Sequence, residues 1–192
     1  MRISKTRICG ASLSIPILCG LLMGQDKAQS DIDQSCRKFV ETSYVGFVVR
    51  ASLHSPVRAL EWVLGYEPRI FTSGLFLELR QDSEAQRKVG GDIVGLDFDP
   101  FLACQDCPWR YVVEKTAIKD DRCWAEVHGI WEEKETAGPN VTAELQRKDG
   151  RWVFANFHYP NPERPEFENL LSLLKSLREY RARRACAESK KR

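Results

Sequence analysis

The hydrophobic period of this chain changes once, near its middle. Apolar residues recur every three or four positions up to about residue 89, and at every second position between residues 110 and 159. The first spacing predicts amphipathic helices and the second predicts half-buried strands. Helices followed by consecutive antiparallel strands indicate an α+β fold, because a parallel sheet would need strands and helices to alternate.

Three helices are predicted in the first half. The first begins at Ser35, and a second begins at Pro56, since proline suits the first helical position. Thr72 or Ser73 caps a third helix that ends near Val89. The apolar face of the first helix comprises Phe39, Val40, Tyr44, Phe47, Val48 and Ala51. These N-terminal helices supply an apolar layer on which a sheet can pack.

The second half predicts two β-hairpins and a final helix. Strands at residues 110–118 and 122–131 form the first hairpin, and strands at 141–147 and 152–159 form the second. Asp149-Gly150 between the second pair is a strong turn signal. A leucine-rich helix over residues 170–177 completes the fold. A curved antiparallel sheet wrapped round the N-terminal helices would enclose a hollow.

Residues 1–30 have the pattern of a signal peptide. Arg2, Lys5 and Arg7 precede an apolar stretch at residues 8–24, and Ala28-Gln29-Ser30 places small residues where a signal peptidase cuts, before Asp31. The apolar stretch is shorter and weaker than the roughly 20 residues that a membrane span needs. The sequence therefore predicts a periplasmic or secreted protein without a stable membrane span after cleavage. A lipid anchor and a cytoplasmic location are the alternatives.

Charge divides the chain into three parts. The whole sequence has 29 basic and 27 acidic residues, a net charge of +2, which excludes a strongly basic nucleic-acid-binding protein. Residues 178–192 hold seven basic and two acidic residues, and residues 31–177 have a net charge of −6. We expect a signal peptide (1–30), one domain (31–177) and a basic tail (178–192). The tail is either a solvated, frayed helix end or a contact for anionic lipid or cell-wall polymer.

Cleavage would leave five of the seven cysteines: Cys36, Cys104, Cys107, Cys123 and Cys186. An exported protein usually pairs its thiols, and an odd number leaves at least one unpaired within the chain. The spacing of Cys104 and Cys107 makes a structural disulfide the first choice, with free thiols, redox chemistry and zinc as alternatives. Cys36 and Cys186 are the second choice, because domain termini often lie close together. The hairpin register disfavours a Cys107–Cys123 bond, since it separates the two by roughly 36 Å.

The least generic stretch is residues 96–106, Leu-Asp-Phe-Asp-Pro-Phe-Leu-Ala-Cys-Gln-Asp. It resembles the D-x-D-P-F-x-x-x-Q-D segment of a bacterial domain-of-unknown-function family numbered 3828, whose members are typically exported proteins or lipoproteins. Matching pieces at Phe39–Tyr44–Phe47, Thr72–Leu75–Leu79 and Gly150-Arg151-Trp152-Val153-Phe154 extend the resemblance over residues 36–177. The two cysteines that flank Gln105-Asp106 depart from the family pattern.

The resemblance implies a fold like that of nuclear transport factor two: cone-shaped, with N-terminal helices packed on a bent antiparallel sheet and a C-terminal helix. It implies no activity, because the wider fold hosts isomerases, dehydratases, ligand carriers and plain binding modules. Within the matched segment, the candidate ligand- or partner-binding residues are Asp97, Asp99, Gln105 and Asp106. The alternatives for these carboxylates are structural capping of a short helix and calcium binding, for which the glycine and distal glutamate of a calcium loop are missing.

A second group of candidates lies on the predicted strands. By two-residue alternation, Asn156 and His158 share a face with Trp152 and Phe154, and Glu126 and His128 share a face with Trp124 and Ile130. If these faces look into the hollow, the four polar residues could bind a ligand or tune an acid or base. If the faces look outward, the residues are wall or surface groups, and the sequence leaves this choice open.

The sequence carries no phosphate-binding loop and no G-x-S-x-G, H-E-x-x-H or Walker pattern. We therefore predict a non-enzymatic binding module for a protein partner or a small envelope ligand, with no cofactor, no metal ligand set and no assigned catalytic residue. The alternatives are a small enzyme of isomerase or hydrolase type that uses polar residues of the hollow, and an immunity protein that neutralises a toxin. The sequence assigns neither the oligomeric state nor the partner.

Overall fold

A computed structural model of the chain describes residues 20–50, 59–89, 92–104, 107–108, 110–160 and 167–190, with side chains from residue 30 onward in the first of these segments and from residue 60 in the second. The predicted α+β fold is confirmed, because helices precede and follow a five-stranded antiparallel sheet. Most of the predicted signal peptide (residues 1–19), together with Gln105 and Asp106, lies outside the described residues.

The N-terminal helices pack on the sheet. Helix α1 (Gly20–Phe39) continues directly into a π-helical segment (Val40–Val49), and α2 (Ala59–Tyr66), a 3₁₀ turn (Pro68–Ile70) and α3 (Ser73–Arg87) follow. A π-helix has more residues per turn than an α-helix, and here every fourth residue, Val40, Tyr44 and Val48, is buried. The Thr72 side chain accepts a hydrogen bond from the backbone N–H of Leu75 and caps α3, as predicted.

The sheet has the spatial order β1-β2-β4-β5, with a short β3 paired to the end of β2. Its strands are β1 (Arg110–Lys119), β2 (Arg122–Trp131), β3 (Lys134–Glu135), β4 (Val141–Lys148) and β5 (Arg151–His158). Both predicted hairpins are present, and Gly150 in the second turn has a positive φ of 76°, which glycine adopts without strain. The two-residue strand β3 was not predicted, since it has too few residues to show a period.

One face of the sheet packs on the helices, and we call it the inner face. Its buried side chains are Tyr111, Val113, Cys123, Ala125, Val127, Val141, Ala143, Leu145, Trp152, Phe154 and Phe157. Tyr44 of the π-helical segment packs against both Phe154 and Phe157, at ring-centroid distances of 5.9 and 5.8 Å. Phe101 contacts Phe157 at 5.4 Å. The space between sheet and helices is therefore filled by aromatic rings.

The prediction that Trp152, Phe154, Asn156 and His158 share one face is wrong. The pairing of β4 with β5 shifts register at Ala155, which is the extra residue of a β-bulge. Trp152 and Phe154 lie on the inner face, whereas Asn156 and His158 lie on the opposite, outer face. A bulge reverses the alternation after it, and the two-residue period alone does not show where one occurs.

Two disulfide bonds are present among the described cysteines. Cys104 is bonded to Cys107, as their spacing predicts. The predicted Cys36–Cys186 pair is wrong: Cys36 is bonded to Cys123, and Cys186 is exposed and free. Helix α1 crosses the inner face of the sheet and places Cys36 over the start of β2, with 6.5 Å between the two Cα atoms. Sequence spacing could not give that crossing.

The last helix, α4 (Leu170–Ser189), continues well past residue 177, where we expected a basic tail to begin. Its second half is held to the rest of the protein by ion pairs, because Arg178, Arg181 and Arg184 contact Glu78, Asp82 and Asp92 respectively. Asp82 is 2% exposed, and it also accepts a hydrogen bond from the backbone N–H of Leu96. Much of the predicted tail is therefore part of the folded body.

Helix α1 runs through the predicted cleavage point before Asp31 without interruption. Across the described segments, none of the helices has both the length and the apolar character that crossing a membrane requires.

The Cys36–Cys123 bond is expected to contribute more to stability than the Cys104–Cys107 bond, because it closes a loop of 87 residues rather than 3. The loop-entropy model gives roughly 4–5 kcal/mol for the long loop and about 2 kcal/mol for the short one. The double variants Cys36→Ala/Cys123→Ala and Cys104→Ala/Cys107→Ala should differ accordingly in the free energy of unfolding, measured with urea. Equal losses would contradict this prediction.

Arg181→Ala is expected to lower the free energy of unfolding by about 3 kcal/mol, because it leaves the buried Asp82 carboxylate without its cationic partner. Arg183, two residues away on the exposed side of the same helix, is the matched control. Arg183→Ala should change stability by no more than about 0.5 kcal/mol. Similar small effects of both substitutions in urea denaturation would mean that the second half of α4 is not held by this ion pair.

Candidate functional site

The polar candidates of the strands lie together on the outer face of the sheet, which turns away from the helices. Cys123, Ala125 and Val127 of β2 face inward, so the intervening Trp124 and Glu126 face outward. The question that the sequence left open is thereby answered: the strand candidates are not in the space between sheet and helices. Two separate polar clusters occupy this outer face.

The first cluster is an Arg122–Glu144–His158 triad. Nε2 of His158 lies 2.7 Å from Oε2 of Glu144, and the guanidinium of Arg122 donates to Oε1 of the same carboxylate. The Trp124 indole packs against the His158 ring, with 4.8 Å between ring centroids. The Glu144 side chain is 9% exposed, whereas those of His158 and Arg122 are 25% and 45% exposed. A buried carboxylate thus fixes two cationic or hydrogen-bonding groups at the surface.

The hydrogen bond from His158 lowers the pKa of Glu144 below its ordinary value, and the charge and hydrogen bond of Arg122 act in the same direction. Burial opposes this shift, because it disfavours the charged form. The net direction is downward, so Glu144 is a carboxylate at neutral pH. It therefore acts as a fixed anion that orients its two partners.

The second cluster contains Glu114, Glu126 and His128, whose ligand atoms all lie within 4.8 Å of one another. A β-bulge brings them together: the register of β1 with β2 shifts between Val113 and Lys115, and Glu114 is the extra residue. Nε2 of His128 lies 2.7 Å from Oε2 of Glu114. Two of the predicted candidates, Glu126 and His128, are therefore neighbours, and Glu114 joins them.

The bulge at Glu114 is held from the other side by helix α1. The guanidinium of Arg37 donates to the backbone carbonyls of Val113 and Glu114, at 2.8 and 2.5 Å. These are two adjacent carbonyls on the edge strand of the sheet, and a planar guanidinium satisfies both at once. Arg37 therefore stabilises the irregular backbone that places Glu114 beside His128.

Asn156 has a structural role in this fold. Its side-chain oxygen accepts hydrogen bonds from the backbone N–H groups of Phe157 and Leu171, and its amide donates to the Asn169 side chain. Asn169 in turn caps the first turn of α4 by accepting from the N–H of Ser172. Asn156 thus joins the end of β5 to the start of α4, and its polar atoms are used in that junction.

The segment around Asp99 is anchored in the core. The Asp99 carboxylate accepts hydrogen bonds from the backbone N–H groups of Phe101 and Leu102, at 2.8 and 3.0 Å. The Tyr44 hydroxyl donates to the carbonyl of Phe101, and the Tyr159 hydroxyl donates to the carbonyl of Pro100. These contacts fit the capping role that the sequence offered as one reading of the segment. Asp97 is exposed nearby.

Asp99 also affects the tyrosines around it. Burial raises the pKa of Tyr44, Tyr111 and Tyr159, and the negative charge of Asp99 raises each of them further. All three hydroxyls therefore stay protonated at neutral pH. They can act as hydrogen-bond donors within the core but not as bases.

A cleft of about 570 Å³ opens at the hairpin end of the sheet, beside helix α1. The guanidinium of Arg147 lies 5.8 Å from the centre of the Trp152 ring at its wall. The lining residues are Ile32, Ile118, Asp120, Asp121, Arg122, Gln146, Arg147 and Trp152. The cleft offers both signs of charge and an aromatic surface to a small ligand.

Sequence reasoning missed three residues of the outer face: Glu114, Arg122 and Glu144. The Asp149-Gly150 turn sets the pairing of β4 with β5 only as far as Leu145 and Phe154, and regular pairing beyond that point would put Glu144 and His158 on opposite faces. The position of Glu114 also depends on a bulge, so neither contact had a signal in the sequence. Counting alternate residues puts Glu114 and Lys115 on opposite faces, and one extra residue changes that count.

Comparisons with protein-family models, with curated proteins and with solved structures gave no match. The resemblance of residues 96–106 to the family numbered 3828 therefore stays a prediction from the sequence.

Glu144→Gln is expected to lower the free energy of unfolding at pH 7 by about 1.5–3 kcal/mol, the usual contribution of hydrogen bonds to a charged group. Because the pKa of Glu144 is lowered in the folded state, this stabilisation is fully present above its ordinary pKa of 4.5 and is lost as the pH falls through the lower folded value. Urea denaturation of both proteins between pH 7 and pH 3 measures the difference.

The half-exposed Glu126 provides the control for this series. Glu126→Gln should change the stability by no more than about 1 kcal/mol, as expected for a surface ion pair. A difference between wild type and Glu144→Gln that stays constant down to pH 3 would assign the effect to packing instead of charge.

Proposed function

We propose that the protein is an exported, non-enzymatic binding module that binds a partner protein through the outer face of its sheet. The observation that carries this proposal is the difference in side-chain composition between the two faces of the sheet. Aromatic and aliphatic side chains fill the inner face, while an arginine, an indole, two imidazoles and three carboxylates lie on the outer face.

The filled interior favours surface recognition over chemistry in a hollow. A small enzyme of isomerase or hydrolase type would need polar side chains that converge in an enclosed, water-poor space. In the described part of the chain, Tyr44, Phe101, Phe154 and Phe157 occupy that space, and each is fully buried. The strand candidates instead face outward, where Glu126 and His158 are exposed enough for a macromolecular surface to reach, while His128 and Asn156 are buried.

The outer face has the residue types that dominate protein interfaces. Tryptophan and arginine are enriched among the few residues that supply most of the binding free energy. Trp124 is held against His158, and Arg122 is held by Glu144. Because these side chains are already ordered, binding would cost little of their conformational entropy.

Two disulfide bonds and the signal-peptide pattern of residues 1–30 support a periplasmic or secreted location. In such a compartment the protein's partner would be another envelope or extracellular protein. A toxin that this protein neutralises would be one partner of that kind.

The cleft beside α1 supports a second candidate function, the binding of a small envelope ligand. Its volume of about 570 Å³ lies within the range of ligand pockets, and Arg147 and Trp152 form part of its wall. This candidate differs from the first in its location, because the cleft lies at the hairpin end of the sheet beside α1, and Arg122 is the residue that borders both the cleft and the triad.

The two candidates can be separated by site-specific crosslinking in cells of the source organism. A photoreactive amino acid at position 126, in the middle of the outer face, should give one discrete protein adduct. The same amino acid at Leu77, which is 52% exposed on α3, is the control and should not give that adduct. Trp124→Ala should reduce the yield at position 126 by at least about tenfold, since hot-spot truncation costs about 2 kcal/mol or more.

Equal adducts at positions 126 and 77, or an adduct that is insensitive to Trp124→Ala, would contradict binding through the outer face. A small molecule that native mass spectrometry finds on the protein, and that Arg147→Ala releases, would instead support the cleft as the binding site. The identity of a specific adduct decides whether the partner is a toxin.

A further inference from the structure

We propose that Glu114, Glu126 and His128 form a binding site for a divalent transition-metal ion, for which Zn²⁺ is the best-fitting probe. The proposal goes beyond the partner-binding function and does not depend on it, because metal binding can be measured on the isolated protein. Its basis is the geometry of the three side chains and the absence of a hydrogen-bond partner for Nε2 of His128.

The three donor groups converge from adjacent strands. Their ligand atoms lie within 4.8 Å of one another, whereas donors at about 2.1 Å from a tetrahedral zinc ion are separated by about 3.4 Å. Small side-chain movements close that difference, because the Glu114 and Glu126 side chains are 53% and 36% exposed. The same exposure leaves a path by which an ion can enter from solvent.

His128 supplies an observation that is independent of the acidic groups. Its side chain is 6% exposed, and its Nε2 atom is buried without a hydrogen-bond partner. Nε2 lies 2.7 Å from Oε2 of Glu114, but the direction of this contact does not meet hydrogen-bond geometry. A buried ring nitrogen that lies beside carboxylates without a well-directed hydrogen bond is a group that a cation would satisfy.

The other ring nitrogen of His128 contacts a backbone carbonyl. Nδ1 of His128 lies 3.4 Å from the backbone carbonyl oxygen of Thr136, which can only accept a hydrogen bond. In the neutral tautomer that fits this contact, Nδ1 carries the proton and the lone pair is on Nε2, beside the two carboxylates. Metal-binding histidines commonly donate their second N–H to a carbonyl in this way, which orients the ring for the metal.

The donor set selects the class of ion. One imidazole and two carboxylates suit zinc and its first-row neighbours, whereas Mg²⁺ and Ca²⁺ prefer oxygen ligands throughout. Three protein ligands leave a fourth tetrahedral position for water. The ammonium group of Lys115, 4.0 Å from Oε1 of Glu126, is the competing cation that an ion would displace. The Lys115 side chain is 67% exposed and can move into solvent.

The backbone of β1 holds Glu114 in this arrangement. Arg37 donates to the carbonyls of Val113 and Glu114 and stabilises the bulge that turns Glu114 toward His128. Bulges often re-aim a side chain next to functional sites. Without the bulge, regular alternation would separate Glu114 from the other two ligands.

Isothermal titration of the oxidised protein with ZnCl₂ at neutral pH tests the proposal. Cys186→Ser is included in every sample, because the free thiol of Cys186 is itself a zinc ligand. We expect one Zn²⁺ per chain, with Mg²⁺ giving no comparable binding. Zinc-edge X-ray absorption should show one imidazole among light-atom ligands at about 2.0–2.1 Å.

Glu114→Gln and Glu126→Gln keep side-chain shape and are exposed enough to preserve the fold, which their thermal unfolding curves would verify. Each should weaken zinc binding by at least about tenfold, since even the loss of an outer-shell partner costs about 10–100-fold. Glu84→Gln on α3 is the matched control and should leave the affinity unchanged. Lys115→Ala should leave it unchanged or increase it.

The proposal fails if the Cys186→Ser protein binds no Zn²⁺ at one equivalent, or if it binds Zn²⁺ equally well after both glutamine substitutions. Either result would mean that the contact between His128 and Glu114 is a cross-strand contact of the fold and not part of a metal site.

Discussion

The β-bulge at Ala155 is the constraint on which the rest of the structure depends. It places Phe154 and Phe157, three residues apart, on the same inner face, where both are fully buried. A regular strand would turn one of these rings toward solvent, and each large aromatic ring buries about 150–250 Å². Tyr44 packs against both rings, so the position of the π-helical segment depends on the bulge. The packing of the helix on the sheet therefore depends on the irregularity in β5.

The same bulge decides what the outer face can do. After Ala155 the alternation is reversed, so His158 lies outward, within 2.7 Å of Glu144 and against Trp124. Arg122 and His158 remain partly exposed, so their desolvation cost is smaller than it would be inside the fold, while the buried side chains of the inner face are mainly apolar. A protein organised this way has little capacity for chemistry inside and an ordered polar surface outside. This division is why recognition by a partner is the function we favour.

Features of the fold that depend on local chemistry could be predicted from the sequence, whereas features that depend on long-range geometry could not. The Asp149-Gly150 turn and the changed hydrophobic period were sufficient for the α+β class, the two hairpins and most helix positions. The bulges at Glu114 and Ala155 have no local signal, because neither position is the glycine that marks one common type of bulge. The Cys36–Cys123 bond likewise depends on where α1 crosses the sheet, because the two cysteines are 87 residues apart along the chain. Candidate residues were therefore identified correctly as polar strand residues, but their faces and partners were not.

The bulge at Glu114 also connects the core to the outer face. Arg37 lies on α1, one residue from Cys36, which is bonded to Cys123 at the start of β2. The disulfide holds α1 at a fixed height over the sheet, and that height sets where the Arg37 guanidinium meets the carbonyls of Val113 and Glu114. Since these carbonyls belong to the bulge, a covalent bond in the core helps to determine where the Glu114 side chain lies on the other side. The arrangement of Glu114, Glu126 and His128 is then a property of the whole fold and not of the edge strand alone.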